Sequence, residues 1–426
     1  MKRVGMFVWN TFTNDARVLR ECTTLSQNGY DVELFCIHDT TVEGLKREEI
    51  INPNFKVFRL RKIPKFIEIF NQGTEFLSKH VLALIGVIAL FLLLLIAFPI
   101  YFIGLIVLIL MLWFPLIQTL IFRSSLILKM TMKAYIGKYD IYHANDLNTL
   151  PQAYICAKWR IKRKKLIYDS HEVQTSRTGY NSKVHGYLER YLIRKIDRMM
   201  VENDTRAKYN EDLYGFYPSV LHNYPFYQES TEDKIDLHSL LNINKDEKIL
   251  LYQGGIQVGR GLEKLIKAFP HFSEGTLVFI GDGKIKTKLE QVANEMNLTD
   301  KIKFIDKVPL EDLPKYTRNA YLGFQVLNNI CFNHYSASSN KLFEYMMSEV
   351  PVIASDFPEI GKVVKENEIG LTVDSHDALD IARGVNILLG NEELRNQFSE
   401  NCISARKRYN WEQEQKYLLK VYQSIS

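Results

Sequence analysis

Cysteine is scarce in this sequence of 426 residues, which contains five: Cys22, Cys36, Cys156, Cys331 and Cys402. Their number is odd, they lie far apart and no two form a Cys-x-x-Cys pair, so the sequence predicts neither a disulfide framework nor a zinc knuckle. This pattern is typical of a protein in a reducing cytoplasm. A chain of this length does not depend on cross-links, and it predicts two or three domains.

The excess of positive charge is small, because 54 Lys and Arg face 49 Asp and Glu and leave a net charge of +5. These charges are spread evenly, so the composition does not indicate a nucleic-acid partner. Apolar residues make up 46% of the chain and charged residues 24%, which is typical of a soluble enzyme. The average conceals one stretch of very different composition.

Charged residues are absent from positions 81–122. A single helix of this length would measure roughly 63 Å, about twice the thickness of a bilayer core. Pro99 lies near the middle of the run, where it removes a backbone donor and disfavours helix at Phe98. The sequence therefore predicts two helices of about 17 to 22 residues that meet near positions 98–101.

Basic residues border the apolar run: Lys79 and His80 precede it, and Arg123, Lys129 and Lys133 follow it. Basic flanks favour the cytoplasmic side of a membrane, so both ends of the run are expected there. We therefore expect residues 79–123 to form a helical hairpin in the cell membrane, with the rest of the chain on the cytoplasmic side. A buried hairpin in the core of a large soluble protein is the alternative.

Predicted strands and helices alternate on both sides of this run. Residues 4–9 predict a strand, and Asn14 or Asp15 can cap the helix that follows it. The pattern resumes at residue 139 and continues to residue 354, with weak periodicity at 219–245. This indicates an α/β fold of two doubly wound, Rossmann-like domains, with the apolar run inserted into the first.

The predicted domain boundaries follow from the same pattern. Residues 1–222 form the amino-terminal domain, and residues 223–246 link it to a second domain at 247–408. Residues 409–426 predict a final helix, which could pack back on the amino-terminal domain. In two such domains the carboxyl ends of the strands surround one cleft, where sheets of this kind bind ligands.

Glycine-rich turns follow two predicted strands of the second domain. Gly254 and Gly255 come directly after one strand, a Gly-Arg-Gly sequence at 259–261 opens the next helix, and Gly283 ends a second turn. Glycines allow a backbone to approach a diphosphate closely, a helix N-terminus favours anions, and Arg260 adds a forked cation. Taken alone, these turns are explained equally well by tight packing beside a surface arginine.

The residues that point most specifically to a function lie at the start of a later predicted helix. Ser339 and Asn340 precede Lys341, which lies in the first turn, and Glu344 follows one turn later. This arrangement sets a cation at a helix start, near an expected phosphate.

With these residues the sequence resembles the retaining GT-B glycosyltransferases of family four, the glycosyl transferases group 1. The resemblance covers nearly the whole chain outside residues 64–135. It rests on NDARVLRE at 14–21, YHANDLNTLP at 142–151, YDSHE at 168–172, HNYPF at 222–226, YQGGIQVGRGLEKLIKAF at 252–269, FIGDG at 279–283 and NKLFEYM at 340–346. The last of these, followed by PVIASD, is the most specific.

The resemblance implies a role for each matching residue. Arg260 and Lys341 hold the donor diphosphate, Glu344 binds the ribose hydroxyls, and His171 lies beside the donor sugar. For His171, a core or capping histidine is the alternative. The donor-binding set also includes Gly254, Gly255, Gly283, Ser339 and Asn340, and the acceptor-side loop includes Asn14 and Asp15.

Two positions depart from the family pattern. The family often has an acidic pair with seven residues between its members, and the earlier member falls at Ser336 here. The arginine that commonly follows the first glycine turn is replaced by Gly255, which leaves Arg260 as the nearest cation. Because no Asp-x-Asp motif ends a strand, we expect no metal and no cofactor besides the nucleotide sugar.

These features predict a membrane-inserted glycosyltransferase that moves a sugar from a nucleotide diphosphate sugar, with a uridine-linked donor expected, and retains the anomeric configuration. The expected acceptor is a lipid-linked sugar in the synthesis of an envelope or surface polysaccharide. Two alternatives stay open: a nucleotide-sugar epimerase on the same fold, and a non-catalytic membrane scaffold, which the departure at Ser336 favours.

Overall fold

The computed structural model describes residues 1–176, 183–231 and 233–425. These residues form two compact units, Met1–Asp169 with Arg194–Asp197 and Ser170–Ile193 with Arg198–Ser426. The predicted linker and the predicted final helix include Glu232 and Ser426, which lie outside the described residues. The predicted domain boundaries stay a prediction.

The first unit alternates strands and helices around a long helical insertion. In chain order the elements are β1 Lys2–Phe7, α1 Ala16–Gln27, β2 Tyr30–His38, β3 Glu48–Asn52, β4 Phe55–Arg61, α2 Lys65–Lys79, α3 Val81–Ala97, α4 Pro99–Trp113, α5 Pro115–Gly137, β5 Ile141–Asn145, α6 Leu150–Lys158 and β6 Lys165–Ser170. The strands lie in the spatial order β3-β4-β2-β1-β5-β6. Strand β1 pairs in parallel with β2 and β5, and β3 adds an antiparallel edge to β4.

The start of α1 is stabilised as the sequence predicts. Asp15 is the N-cap, and its side chain accepts a hydrogen bond from the backbone N–H of Val18 at 3.1 Å. Asn10 donates to the same carboxylate at 2.7 Å, so the loop between β1 and α1 is tied to the helix cap. Of the two predicted caps, the structure uses Asp15.

The apolar insertion consists of three helices, whereas the sequence predicted two. The expected break is present, since α3 ends at Ala97 and α4 begins at Pro99. A second break, which the prediction missed, separates α4 from α5 at Pro115. Proline is tolerated in the first turn of a helix and disfavours helix at the preceding residue, so both breaks have the same cause.

Among the described residues, no individual helix is both long and apolar enough to cross a bilayer. The helices α2 and α3 meet that requirement only as a pair, with a bend of 115° between them. The predicted membrane hairpin therefore stays a prediction.

The second unit contains the remaining elements. They are α7 Lys183–Ile193, β7 Arg198–Val201, α8 Asp204–Tyr214, β8 Ser219–Val220, α9 Leu237–Leu241, β9 Ile249–Gln253, α10 Leu262–Ala268, β10 Thr276–Ile280, α11 Lys286–Glu295, β11 Ile302–Ile305, α12 Leu313–Thr317, β12 Leu322–Gln325, α13 Phe332–Tyr335, α14 Asn340–Met347, β13 Val352–Ser355, α15 Pro358–Asn367, β14 Gly370–Val373, α16 Ala378–Gly390, α17 Glu392–Ala405 and α18 Trp411–Ser424, with short 3-10 turns at Gln174–Ser176 and Phe269–His271. The helix α9 lies within the predicted linker.

Six strands of this unit form a parallel sheet in the order β11-β10-β9-β12-β13-β14. Successive residues of β9 face opposite sides: Leu250 and Tyr252 belong to one buried cluster, and Ile249 and Leu251 to the other. Apolar residues of α10 and α16 complete the first cluster, and those of α14 and α15 complete the second. The α/β, doubly wound class expected from the sequence is confirmed in this unit.

A buried ion pair joins α1 to the end of β6 in the first unit. Arg17, which is 5% exposed, donates from Nε and Nη2 to the two carboxylate oxygens of Asp169 at 3.0 and 2.9 Å. Its Nε also lies 3.0 Å from Glu21 Oε1. The guanidinium therefore neutralises two carboxylates that would otherwise be buried without a counter-charge.

We expect Arg17→Ala to destabilise the first unit by about 3–5 kcal/mol, because it leaves both carboxylates in an apolar environment without their cation. Hydrogen exchange in urea, followed in peptides from β1 and β6, measures this loss. The control is Arg47→Ala, which removes an exposed arginine of the same unit and is expected to change stability by less than about 0.5 kcal/mol. Equal effects of the two substitutions would contradict the assigned role of Arg17.

Candidate functional site

The first glycine turn lets a lysine approach the end of β9. Gly254 has a φ of +113°, and a Cβ atom at this position would lie 3.2 Å from Cδ and 3.8 Å from Nζ of Lys341. The side chain of Lys341 therefore runs directly over the backbone of Gly254. A larger residue here would be strained and would press on the lysine.

The second glycine turn is hydrogen-bonded to the first. Gly254 donates its N–H to Ile280 O at 2.8 Å, and Ile256 donates to Asp282 O at 2.9 Å. A Cβ at Gly281 would lie 2.0 Å from Gly254 O, and one at Gly283 would lie 2.1 Å from Ile256 O. The two turns are therefore packed closely, backbone against backbone, which only glycine allows at Gly281 and Gly283.

Arg260 lies at the start of α10, between two glycines with positive φ. A Cβ at Gly261 would lie 1.8 Å from Val326 O, so the helix start is packed against the end of β12. The partly buried Arg260 guanidinium lowers the pKa of Lys341 and opposes the rise that burial causes in the pKa of Tyr252. Arg260 and Lys341, which the sequence analysis selected separately, are thus brought together by the fold.

Lys341 is held in an unfavourable environment for a cation. Its pKa is lowered to about 7, mainly by burial and further by the positive charge of Arg260, while Glu344 partly opposes both effects. Its Nζ also lies 5.5 Å from the centre of the Tyr252 ring. Two like charges beside a backbone surface without side chains form a site that an anion would stabilise.

Glu344 is oriented by a residue that the sequence analysis did not select. Gln253, the last residue of β9, is fully buried and donates from Nε2 to Glu344 Oε2 at 2.9 Å. The other end of the amide accepts a hydrogen bond from Thr317 Oγ1 at 2.7 Å. The sequence signal that could have identified Gln253 is its position immediately before Gly254 and Gly255.

The residues that open α14 have different environments. Ser339 is the N-cap, but its side chain makes no capping hydrogen bond. Asn340 is exposed, and its Oδ1 accepts a hydrogen bond from Asn223 Nδ2 at 3.0 Å. The fold thus brings Asn223, part of the HNYPF segment, next to the start of the lysine helix.

The His171 segment is attached to the same unit through its backbone. Arg206 donates to the carbonyl of His171, and Val173 pairs with the side chain of Asn333 through two hydrogen bonds of 2.8 and 3.1 Å. Asn333 lies in α13, seven residues before Asn340. The His171 loop and the residues before Lys341 are therefore held together.

Asn14 and Asp15 lie in the other unit. Asp15 caps α1, as described above, and Asn14 is exposed in the loop before it. Their expected role on the acceptor side stays a prediction.

One buried group in the first unit has the composition of a metal site. Glu21, His143 and Asp169 each place a potential ligand atom within 4.8 Å of the others. The Arg17 guanidinium contacts both carboxylates and supplies the positive charge that they need. We therefore assign this cluster a structural role.

Residues 233–405 match the model of the family Glycosyl transferases group 1. This segment contains Arg260, Lys341, Glu344 and both glycine turns. A D-inositol 3-phosphate glycosyltransferase of Nocardioides sp. is 23% identical over 257 residues, which cover 55% of this chain and 55% of that protein. The chain spans about half the length of the curated relatives it matches.

Solved structures share the fold over the full length of the chain. Sucrose-phosphate synthase of Thermosynechococcus elongatus superposes with a TM-score of 0.73 at 16% identity, covering 100% of this chain and 99% of that one. HepE of Anabaena, solved in complex with UDP, gives 0.69 at 14% identity and covers 100% of both chains. These similarities establish the two-domain GT-B fold expected from the sequence.

Ser336, which stands where the family often has the earlier member of its acidic pair, lies within the group 1 segment. Ser336 is fully buried, accepts a hydrogen bond from Arg206 Nε at 3.2 Å and donates to Phe332 O at 2.8 Å. The carbonyl of the same residue accepts from Asn203 Nδ2 at 2.7 Å. The hydroxyl is thus used within the packing of α8 against α13.

We expect the affinity for UDP to fall as the pH rises from 7.5 to 9. Lys341 has a pKa of about 7 in the free protein, and a bound diphosphate raises that pKa, so binding takes up a proton at this site. Above pH 7 the affinity should fall by at most about tenfold per pH unit. The terminal phosphate of UDP is already ionised in this range, since its pKa is roughly 6.

Titration calorimetry in two buffers of different ionisation enthalpy measures both the affinity and the protons taken up. The comparison is Lys341→Arg, which stays charged throughout the range and should bind UDP with little dependence on pH. If wild type and Lys341→Arg have the same pH profile, the diphosphate does not lie at Lys341.

Proposed function

We propose that this chain is a glycosyltransferase that uses a nucleotide diphosphate sugar, with a uridine-linked donor. The observation that carries the proposal is the meeting of Arg260 and Lys341 at two joined glycine turns within the group 1 segment. The UDP complex of HepE, which has the same fold, supports the choice of uridine. Glu344, oriented by Gln253, is proposed to bind the ribose hydroxyls.

In the proposed chemistry, Arg260 and Lys341 contact the leaving group, which is the nucleoside diphosphate. The bond between the anomeric carbon and the β-phosphate oxygen breaks, and its electron pair goes to the diphosphate. Arg260 and Lys341 stabilise the negative charge that develops, so their contribution is larger in the transition state than in the bound donor. The proposal assigns these side chains the role that a metal ion has in other diphosphate sites.

Retention requires the acceptor oxygen to approach the face from which the diphosphate leaves. The new bond forms between that oxygen and the anomeric carbon, and the hydroxyl proton passes to an oxygen of the departing diphosphate. This route needs no protein nucleophile, and we propose none. The proposed place of His171 is beside the donor sugar, and the two hydrogen bonds between Asn333 and Val173 hold its loop.

The apolar insertion is proposed to lie in a membrane. Leu82 and Ile96 of α3 are 86% and 82% exposed, and Ile100 and Tyr101 of α4 are each 83% exposed. No buried residue is recorded in either helix among the described side chains. A surface this apolar is unfavourable in water and favours insertion into lipid.

Cations of the first unit lie on the two segments that adjoin the insertion. Lys62 pairs with Asp39 at 2.6 Å and Lys133 with Glu48 at 3.2 Å, so their charges are partly compensated. Lys129 donates to Arg61 O at 3.4 Å and has no carboxylate partner in the described part of the chain. We therefore propose Lys129 as the contact for an anionic head group.

The proposed acceptor is a lipid-linked sugar in the cytoplasmic leaflet, used in the synthesis of an envelope or surface polysaccharide. The insertion lies inside the first unit, between β4 and β5. Anchoring alone could be achieved by one helix at a chain end, so an insertion within the unit assigned to the acceptor favours a role in presenting that acceptor. This placement supports a lipid acceptor over a soluble glycan.

We expect Arg260→Ala and Lys341→Ala each to lower kcat/KM for transfer from a UDP-sugar by about a hundredfold, which corresponds to roughly 3 kcal/mol of lost leaving-group stabilisation. Lys267→Ala is the control, because it removes an exposed lysine from α10, the helix that Arg260 precedes. Thermal unfolding checks that all three variants fold. Wild-type kinetics in both Arg260→Ala and Lys341→Ala would place the diphosphate elsewhere.

We expect the double variant Leu82→Asp/Ile96→Asp to lose binding to anionic lipid vesicles, because the charges oppose burial of α3 in lipid. Transfer to a lipid diphosphate sugar should fall with it, whereas donor hydrolysis in solution should be unchanged. Leu379→Asp, on an exposed position of α16, is the matched control and should keep vesicle binding. Equal transfer to the lipid-linked sugar and to the same sugar without lipid and phosphate would contradict the proposed acceptor.

A further inference from the structure

His334 lies against the glycine turn although no sequence motif selects it. It belongs to α13, and a Cβ at Gly259 would lie 2.6 Å from His334 Cε1 and 3.0 Å from Nδ1. Gly259 is the residue before Arg260, and its φ is +82°. The histidine ring and the side chain of Ile330 therefore share the space that the missing side chain leaves, next in sequence to Arg260.

One ring nitrogen of His334 is already used within the loop. Its Nδ1 lies 3.1 Å from Asn328 O, and a carbonyl oxygen can only accept a hydrogen bond, so Nδ1 carries a proton. Asn328 in turn donates its backbone N–H to Gly259 O at 2.8 Å. In the neutral ring, Nε2 is therefore the nitrogen with a lone pair, and protonation would add a donor at that atom.

The rotation of α13 is set by the neighbouring residue. Asn333 is bound through both ends of its amide to the backbone of Val173, at 2.8 and 3.1 Å. Arg206 donates to Asn333 O at 3.3 Å. Because these bonds hold Asn333 toward the His171 loop, His334 is held toward the glycine turn.

Charged groups from three segments act on the ring. Burial lowers the pKa of His334 below its usual value, and the hydrogen bond to Asn328 partly opposes this shift. Arg260 and Lys341 lower the pKa further, and Glu172 opposes them. A dianionic ligand between the two cations would reverse their effect on the ring.

We propose that His334 is a third diphosphate-binding residue, which takes a proton from solvent when the nucleotide diphosphate binds and then donates from Nε2 to a phosphate oxygen. This inference rests on the proposed function of the site. It explains why a titratable ring that is braced through Nδ1 is set beside Arg260. The donor would then be held by three cationic groups, two of which take up protons as the ligand binds.

Two substitutions separate this role from simple bracing of the loop. His334→Asn retains an amide N–H where Nδ1 lies, so it keeps the bond to Asn328 and removes Nε2. His334→Gln places an amide near Nε2 and removes the brace, and neither residue titrates. His376→Asn is the control, since His376 accepts a hydrogen bond from the backbone N–H of Asn329 and braces the same loop.

UDP binding is measured by titration calorimetry between pH 6 and 7.5, in two buffers of different ionisation enthalpy. All variants are made in the wild-type background, and the proton uptake that each substitution removes is its difference from the wild-type protein. The proposal predicts that His334→Asn and His334→Gln lose the uptake of up to one proton and bind UDP about tenfold more weakly at pH 6.5. His376→Asn should match its parent in both measurements.

The outcomes distinguish this inference from the proposed function. If the wild-type protein does not bind UDP, both fail together. If the wild-type protein binds UDP and His334→Asn takes up as many protons as its parent, the proposed function stands and the role of His334 is overturned. If His334→Asn has the affinity and proton uptake of its parent while His334→Gln does not, His334 only braces the loop. The proposal is then again overturned.

Discussion

The absence of a side chain at Gly254 is the constraint on which the proposed donor site depends. A Cβ at Gly254 would lie 3.2 Å from Lys341 Cδ, and a Cβ at Gly281 would clash with the Gly254 carbonyl. A side chain at Gly254 would press on the lysine, and one at Gly281 would separate the two turns. Because the φ of Gly254 is also positive, the strand end and the lysine helix meet only with glycine at this position.

The two neighbouring cations of the site, Arg260 and Lys341, lower the folding stability of the protein as long as no ligand is bound. Arg260 and Lys341 are close enough to lower the pKa of the lysine, and burial acts in the same direction. Proteins of ordinary stability keep such arrangements mainly where a ligand relieves them. Gln253 adds a further constraint, since its fully buried amide can satisfy Thr317 and Glu344 only in one orientation.

The first unit combines a regular α/β core with an insertion of a different physical character. The ion pair between Arg17 and Asp169 is buried in its core, whereas the described apolar side chains of α3 and α4 are largely exposed. The breaks between these helices occur at prolines, so the insertion is divided into short helices by local stereochemistry. Two different constraints, packing in the core and solvation of the insertion, therefore act on one continuous chain.

The sequence by itself determined the features that depend on neighbours along the chain. Alternating apolar runs predict most strands and helices, Asp15 caps α1, and Pro99 ends a helix, because each of these effects acts over a few residues. Family resemblance supplied Arg260 and Lys341 as candidates, but their mutual approach required the fold. The short, largely exposed strand β3 carried no apolar pattern and was missed.

Only the tertiary structure decided which distant residues meet. Gln253 and Glu344 are 91 positions apart, and Arg17 and Asp169 are 152 apart, so no local pattern links either pair. His334 shows the same limit, because its ring gains a role only from the gap at Gly259 and from the charges of two other segments. Backbone preferences are local, whereas burial and electrostatics depend on the whole fold. The proposed donor site is formed by burial and electrostatics.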